Sequence, residues 1–124
     1  MKSLGELIYT PEKISGEVAI KAESHVPKIK GPDKIKSEEP FELEINVGPH
    51  PNTVQHSIRW IDVYFYEENR SFNPVHIARI ILTPEYSEPN VVLTLKLKKS
   101  GTIHVLGYCN LHGLWESKKR IEVE

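Results

Sequence analysis

The chain has 124 residues, enough for one domain with a buried core. Its 16 Lys and Arg balance 17 Asp and Glu, leaving a net charge of −1. This argues against a nucleic-acid binder, because such proteins carry a basic face. No apolar run reaches the roughly 18 residues that a membrane span needs.

The compartment follows from the cysteine count and the first residues. One cysteine permits no internal disulfide, which favours a reducing compartment. The first six residues lack the apolar segment of a signal peptide. We therefore expect a cytoplasmic protein.

The N-terminal part gives weak patterns. Apolar spacing over residues 4–8 predicts one helical turn, which Pro11 would end. Alternation over residues 18–20 predicts a short strand. Pro27 predicts an extended, non-helical conformation for residues 23–27.

The rest of the chain is dominated by strand patterns. Residues 41–47 alternate apolar and polar side chains without a break, which predicts a half-buried antiparallel strand. Five further segments rich in β-branched and aromatic residues are predicted strands: 58–66, 75–82, 91–97, 102–108 and 116–123. Turn-prone residues separate them, and no helix pattern is convincing. The sequence therefore predicts an all-β sandwich of six or seven strands.

Cys109, the only cysteine, is followed three positions later by His112. A lone thiol is a small buried hydrophobe, a nucleophile or a metal ligand. The C-x-x-H spacing favours a metal ligand, because a thiolate and an imidazole across a turn can point at one ion. Gly113 allows the backbone to bend just beyond them.

Six histidines divide into two groups. His76 and His104 alternate with core residues inside predicted strands, so we expect them to face solvent or a polar neighbour. The other four stand beside loop or turn residues, where functional sites tend to lie: His25, His50, His56 and His112. Nearby prolines restrict the backbone, which lowers the entropy cost of ordering several ligands.

Four imidazoles and one thiolate are too many donors for a structural tetrahedral zinc site. A blue-copper site uses two histidines, one cysteine and a weak axial methionine, but the only methionine is Met1. Five nitrogen and sulfur donors with one open position suit a mononuclear iron that binds a small molecule. A cupredoxin-like copper electron-transfer protein is the second interpretation.

Three separated motifs carry a family resemblance: ESHVP at residues 23–27, HPNTVQHSIRW at 50–60 and YCNLHGLWE at 108–116. Their order and content resemble the superoxide reductases of the one-iron neelaredoxin type, which share the desulfoferrodoxin iron-binding domain. The likeness covers roughly residues 20–124. It implies an immunoglobulin-like, seven-stranded antiparallel β-sandwich over residues 23–124, with residues 1–22 as an extension packed on that domain.

The resemblance also implies the site and its chemistry. The equatorial iron ligands would be His25, His50, His56 and His112. Cys109 would be the axial ligand, and Glu23 would occupy the sixth position in the ferric state. The expected reaction is one-electron reduction of superoxide to hydrogen peroxide, with rubredoxin or a similar protein as electron donor. The family further implies a homotetramer.

The sequence departs from the family at one position beside the site. The family usually has a lysine between the glutamate and the first histidine, whereas this chain has Ser24. Because serine carries no charge, we expect weaker electrostatic steering of superoxide and a lower salt dependence. Lys21 and Lys28 are the nearby candidates to replace that cation.

Overall fold

The computed structural model describes all 124 residues, most of which form two β-sheets packed face to face. The helical segments are α1 (Leu4–Leu7), a 3₁₀ turn (Pro11–Lys13) and α2 (Glu17–His25). The strands are β1 (Lys28–Lys30), β2 (Lys34–Ile35), β3 (Phe41–Asn46), β4 (Ile58–Glu67), β5 (Val75–Ile81), β6 (Asn90–Leu95), β7 (Gly101–Cys109) and β8 (Gly113–Val123).

One sheet has the strand order β1-β3-β6, and the other has the order β2-β8-β7-β4-β5. The side chains that alternate inward from both sheets form one cluster of 15 buried residues. Leu43, Ile61 and Val105 within it are completely shielded from solvent. Burying such side chains stabilises the sandwich by about 1.5–3 kcal/mol each. The predicted all-β sandwich is confirmed.

The strand count is eight rather than seven, because two short strands have no recognisable sequence pattern. β1 has three residues and pairs antiparallel with β3. β2 has two residues and pairs with β8, and this pairing is parallel, unlike the others within the sheets. A period of two cannot be recognised over so few residues.

The prediction of a strand at 18–20 and an extended segment at 23–27 is wrong for most of these residues, which form α2. Ile20 is 82% exposed, so the apparent alternation did not reflect burial. Gly16, with φ of 59°, precedes the helix. The helix ends at His25 and Val26 is extended, so Pro27 restricts only the residue directly before it.

The predicted helical turn near the N-terminus is confirmed as α1. The longest helix, α2, has nine residues. None of the helices combines the length and apolar character required to cross a membrane.

Candidate metal centre

Four imidazole rings form a closed ring at one end of the sandwich. His25 is the last residue of α2, His50 and His56 lie in the β3–β4 connection, and His112 lies in the β7–β8 turn. Neighbouring ring centroids are 4.6 Å apart for His25–His50 and His50–His56, 5.0 Å for His56–His112, and 5.1 Å for His112–His25. The interplanar angles are 75–86°, so each ring presents its edge to the next.

Cys109 lies next to the four histidines, on their buried side. The potential ligand atoms of His25, His50, His56 and Cys109 all lie within 4.8 Å of one another. The Cys109 Sγ is 3.7 Å from His112 Nδ1. Cys109 is fully buried, whereas the rings of His50, His56 and His112 are partly exposed. The thiol therefore lies beneath the cluster, and the opposite side is open to solvent.

Two backbone carbonyl groups determine which nitrogen carries the proton in His25 and His50. His25 Nδ1 is 2.9 Å from the Lys21 carbonyl oxygen, and His50 Nδ1 is 2.7 Å from that of Pro51. Since a carbonyl oxygen only accepts, each neutral ring must donate from Nδ1. The two Nε2 lone pairs then face each other at 3.1 Å and cannot form a hydrogen bond. A cation between them would remove this repulsion.

The distances fit a metal ion. Metal–nitrogen bonds of about 2.1 Å at a right angle place two nitrogens about 3.0 Å apart, close to the 3.1 Å between His25 and His50. His56 Nε2 is buried and has no hydrogen-bond partner, although buried polar atoms are nearly always paired. Imidazole and thiolate donors together suit first-row transition metals. The residues therefore fit a bound metal ion.

Burial keeps the imidazoles in the neutral form that binds metals. It lowers the pKa of His25 to about 4, more than offsetting the opposing hydrogen bond to Lys21. Burial is also the main cause of the lowered pKa values of His50 and His112. Repulsion from the neighbouring imidazoles lowers all three pKa values further. The lowered pKa values of these three rings favour the neutral form that binds a metal.

Hydrogen bonds join the segments that carry these side chains. The Asn110 side chain accepts the Ser57 N–H at 2.9 Å and donates to the Gln55 carbonyl at 2.9 Å. It therefore ties the turn after Cys109 to the loop around His56. The sequence interpretation did not assign this role to Asn110, although the residue lies inside the C-x-x-H motif.

The thiol has its own backbone partner. The His112 N–H donates to Cys109 Sγ at 3.4 Å. Such a bond stabilises negative charge on sulfur and modulates how strongly a thiolate donates to a metal. The C-x-x-H turn therefore positions the two side chains and also stabilises the thiolate form.

The other predicted residues lie apart from the cluster. His76 Nε2 is 3.2 Å from Asp62 Oδ1, and His104 Nδ1 is 3.6 Å from Glu116 Oε2. Both contacts agree with the expectation that these histidines face polar neighbours. Glu23 is exposed on α2, and its carboxylate does not belong to the group of close ligand atoms.

Comparisons with known proteins agree with this geometry. The desulfoferrodoxin family model matches residues 17–118. Three solved structures of the superoxide reductase (neelaredoxin) from Ignicoccus hospitalis have TM-scores of 0.94–0.98 and 58–59% identity, covering 99–100% of this chain and 100% of theirs. The superoxide reductase of Pyrococcus abyssi is 40% identical over 108 residues, covering 82% of this chain and 90% of the relative. The Megalodesulfovibrio gigas protein described as neelaredoxin is 33% identical over 119 residues, covering 84% and 91%.

Proposed function

The chain belongs to the desulfoferrodoxin family and has the activity of its superoxide reductases, and we propose that four histidines and one cysteine hold its single iron. Superoxide is the substrate. The proposed ligands are His25, His50, His56, His112 and Cys109. The observation that carries this assignment is the closed ring of four imidazoles above one buried thiol.

The donor set accounts for the attraction of an anionic substrate. Four neutral imidazoles and one thiolate carry a single negative charge, so a divalent cation among them leaves the site positive. When bound, iron supplies the redox chemistry by passing one electron to superoxide, which takes up two protons to become hydrogen peroxide. Cys109 lies on the side away from solvent, so superoxide approaches from the opposite, open side.

Hydrogen bonds to the backbone orient several of the proposed ligands before a metal binds. The carbonyl groups of Lys21 and Pro51 fix the Nδ1–H tautomers of His25 and His50, which leaves both Nε2 atoms free to bind. The His112 N–H stabilises the thiolate. Pre-formed ligands lower the entropy cost of binding the metal.

Glu23 is proposed as the residue that occupies the open position when the iron is ferric. It lies two residues before His25 on the last turns of α2, and it is exposed. Because oxidation adds a positive charge to the site, a carboxylate on the open side becomes more strongly attracted. The side-chain torsions of an exposed glutamate permit such a movement.

The electron donor, the assembly, the location and the domain organisation are also proposed. We propose a rubredoxin-like protein as electron donor, a homotetramer as the assembly and the cytoplasm as the location. The free, buried Cys109 supports a reducing compartment. We also propose that residues 23–124 form the iron-binding domain and that residues 1–22 are an extension packed on it.

The copper alternative, a cupredoxin-like electron-transfer protein, is not supported. The only methionine, Met1, is fully exposed, so no thioether lines the cluster.

Metal analysis of the purified chain tests the proposed site. We expect about one iron per chain, with no copper, and a visible absorption band from the thiolate. Cys109→Ser should abolish that band in the oxidised protein, because the variant has no sulfur to donate charge to iron. A band that persists in Cys109→Ser would contradict the assignment of Cys109 as a ligand.

A further inference from the structure

Tyr9 is the residue of the N-terminal extension that packs against the β8 side of the metal centre. Its backbone joins the edge of β8 as an isolated parallel bridge opposite Trp115. The Tyr9 N–H donates to the Leu114 carbonyl at 2.9 Å, and the Tyr9 carbonyl accepts the Glu116 N–H at 2.8 Å. These two bonds fix the Tyr9 side chain over the start of β8.

Trp115 lies between Tyr9 and the proposed ligands. It is 1% exposed and is the largest fully buried side chain of the protein, yet it does not belong to the 15-residue core cluster between the sheets. Its ring packs on the His25 imidazole, with centroids 5.0 Å apart and planes 32° apart. Its indole N–H donates to the His112 carbonyl at 3.0 Å. Trp115 therefore contacts two proposed ligands at once.

The Tyr9 ring covers the outer side of Trp115, with a centroid separation of 4.6 Å and an interplanar angle of 35°. Tyr9 is half-buried, and a Cβ added at Gly113 would lie 3.6 Å from its Cε2. A groove of about 520 Å³ runs beside this contact, lined by Tyr9, Trp115, His112 and Lys21 among others. Tyr9 thus covers Trp115 where the groove meets the proposed ligands.

We propose that Tyr9 and Trp115 are positioning residues, so that the N-terminal extension forms the outer wall of the metal site. This inference rests on the proposed function, since it assumes that His25 and His112 bind a metal. Tyr9 holds Trp115 in place. Trp115 in turn fixes the ring orientation of His25 and the position of the 109–112 turn.

The expected effect is on metal retention. Without the Tyr9 ring, Trp115 becomes exposed to water and gains freedom, and the two ligands that it contacts move more easily. The loss of one aromatic pair shifts the equilibrium between the ordered and displaced positions of the Trp115 ring by a factor of about three to ten. We therefore expect Tyr9→Ala to release Fe(II) to a chelator roughly three to ten times faster than the wild type.

The experiment compares three variants of the full chain. Tyr9→Ala removes the ring, Tyr9→Phe keeps it, and Tyr86→Ala removes a tyrosine that is 86% exposed. Tyr9 lies outside the core cluster, so we expect all three to fold. The first readout is the rate of Fe(II) release. The second is the emission of Trp115 in metal-free protein carrying Trp60→Phe, because the chain has only two tryptophans.

The inference predicts faster release and red-shifted Trp115 emission in Tyr9→Ala alone, with Tyr9→Phe and Tyr86→Ala close to the wild type. Equal release rates in Tyr9→Ala and the wild type, when both bind Fe(II), overturn this inference and leave the proposed function standing. A wild-type chain that takes up no Fe(II) overturns both. Faster release in Tyr86→Ala as well also overturns the inference, since the effect would then not be specific to this wall.

Discussion

Ser24 occupies the position where the family resemblance leads one to expect a lysine, and its side chain points toward His25. Its hydroxyl donates to the Lys21 carbonyl at 3.1 Å and lies 2.9 Å from His25 Nδ1. Because His25 Nδ1 carries the proton, the serine oxygen accepts from it. Ser24 therefore helps to orient His25, a proposed ligand, and supplies no charge for steering.

Replacing Ser24 by lysine tests this account of steering. Ser24→Lys adds one positive charge beside the site, so we expect a higher superoxide rate at low ionic strength and a steeper fall with added salt. Ser24→Met is the matched control, because it removes the hydroxyl and adds length without charge. Identical salt slopes for Ser24→Lys, Ser24→Met and the wild type would contradict the prediction.

Glu23→Ala tests the proposed carboxylate ligand of the ferric state. We expect the superoxide rate to stay within about threefold of the wild type, since Glu23 is proposed to bind only the ferric state. The ferric absorption band should shift, because the site loses one anionic ligand. Absorption spectra of the oxidised protein check this. An unchanged ferric band would show that Glu23 does not reach the iron.

The five donor residues proposed from the sequence lie together in the structure, whereas the residues that support them had no sequence signal. Loop position, the C-x-x-H spacing and motif order pointed to the five donors that the fold brings together. The roles of Asn110, Trp115 and Tyr9 depend on contacts between segments distant in the chain. No local pattern encodes such contacts, so only the structure reveals them.

The side chain of Lys28 joins two segments that carry proposed ligands. Its ammonium group donates to the Glu23 carbonyl on α2 at 2.7 Å and also to the Gly48 carbonyl. α2 ends with His25, and Gly48 lies two residues before His50. Lys28 therefore links the backbones that present two neighbouring imidazoles.

Lys28→Met removes this link while keeping a similar length of apolar side chain. We expect the free energy of unfolding of the metal-free protein to fall by about 1 kcal/mol, because two hydrogen bonds from a charged but exposed group are lost. The control is Lys30→Met on the same strand, where no side-chain hydrogen bond or ion pair is present. Denaturant unfolding of both variants measures the difference. An equal loss in Lys30→Met would contradict a specific role for Lys28.

The elements themselves were predictable to different degrees. β3 was predicted from its alternation, because one of its faces is buried in the core. β4 was predicted from its β-branched and aromatic residues, most of which are at least partly buried. α2 was missed because its exposed Ile20 and its mixed polar residues imitate a strand pattern over a few positions. The helix matters for the site, since it places Ser24 and His25 on the same final turn.

The residues that stabilise the fold and the histidines proposed to bind the metal lie in different parts of the molecule. The core cluster lies between the two sheets, whereas the imidazoles are gathered at one end, on loops, a turn and the end of α2. Cys109 belongs to both, as a core residue and as the buried side of the metal cluster. A rigid sandwich thus fixes the thiol, and the loops arrange the imidazoles around it.

This chain reduces superoxide, in contrast to an enzyme that dismutates it. The most direct test adds superoxide to the iron-loaded protein with an excess of electron donor and measures hydrogen peroxide, dioxygen and donor consumed, with metal-free protein as control. We expect one hydrogen peroxide and one oxidised donor equivalent for each superoxide, without dioxygen from the enzyme reaction. Loss of superoxide with stoichiometric dioxygen release and no need for a donor would contradict it.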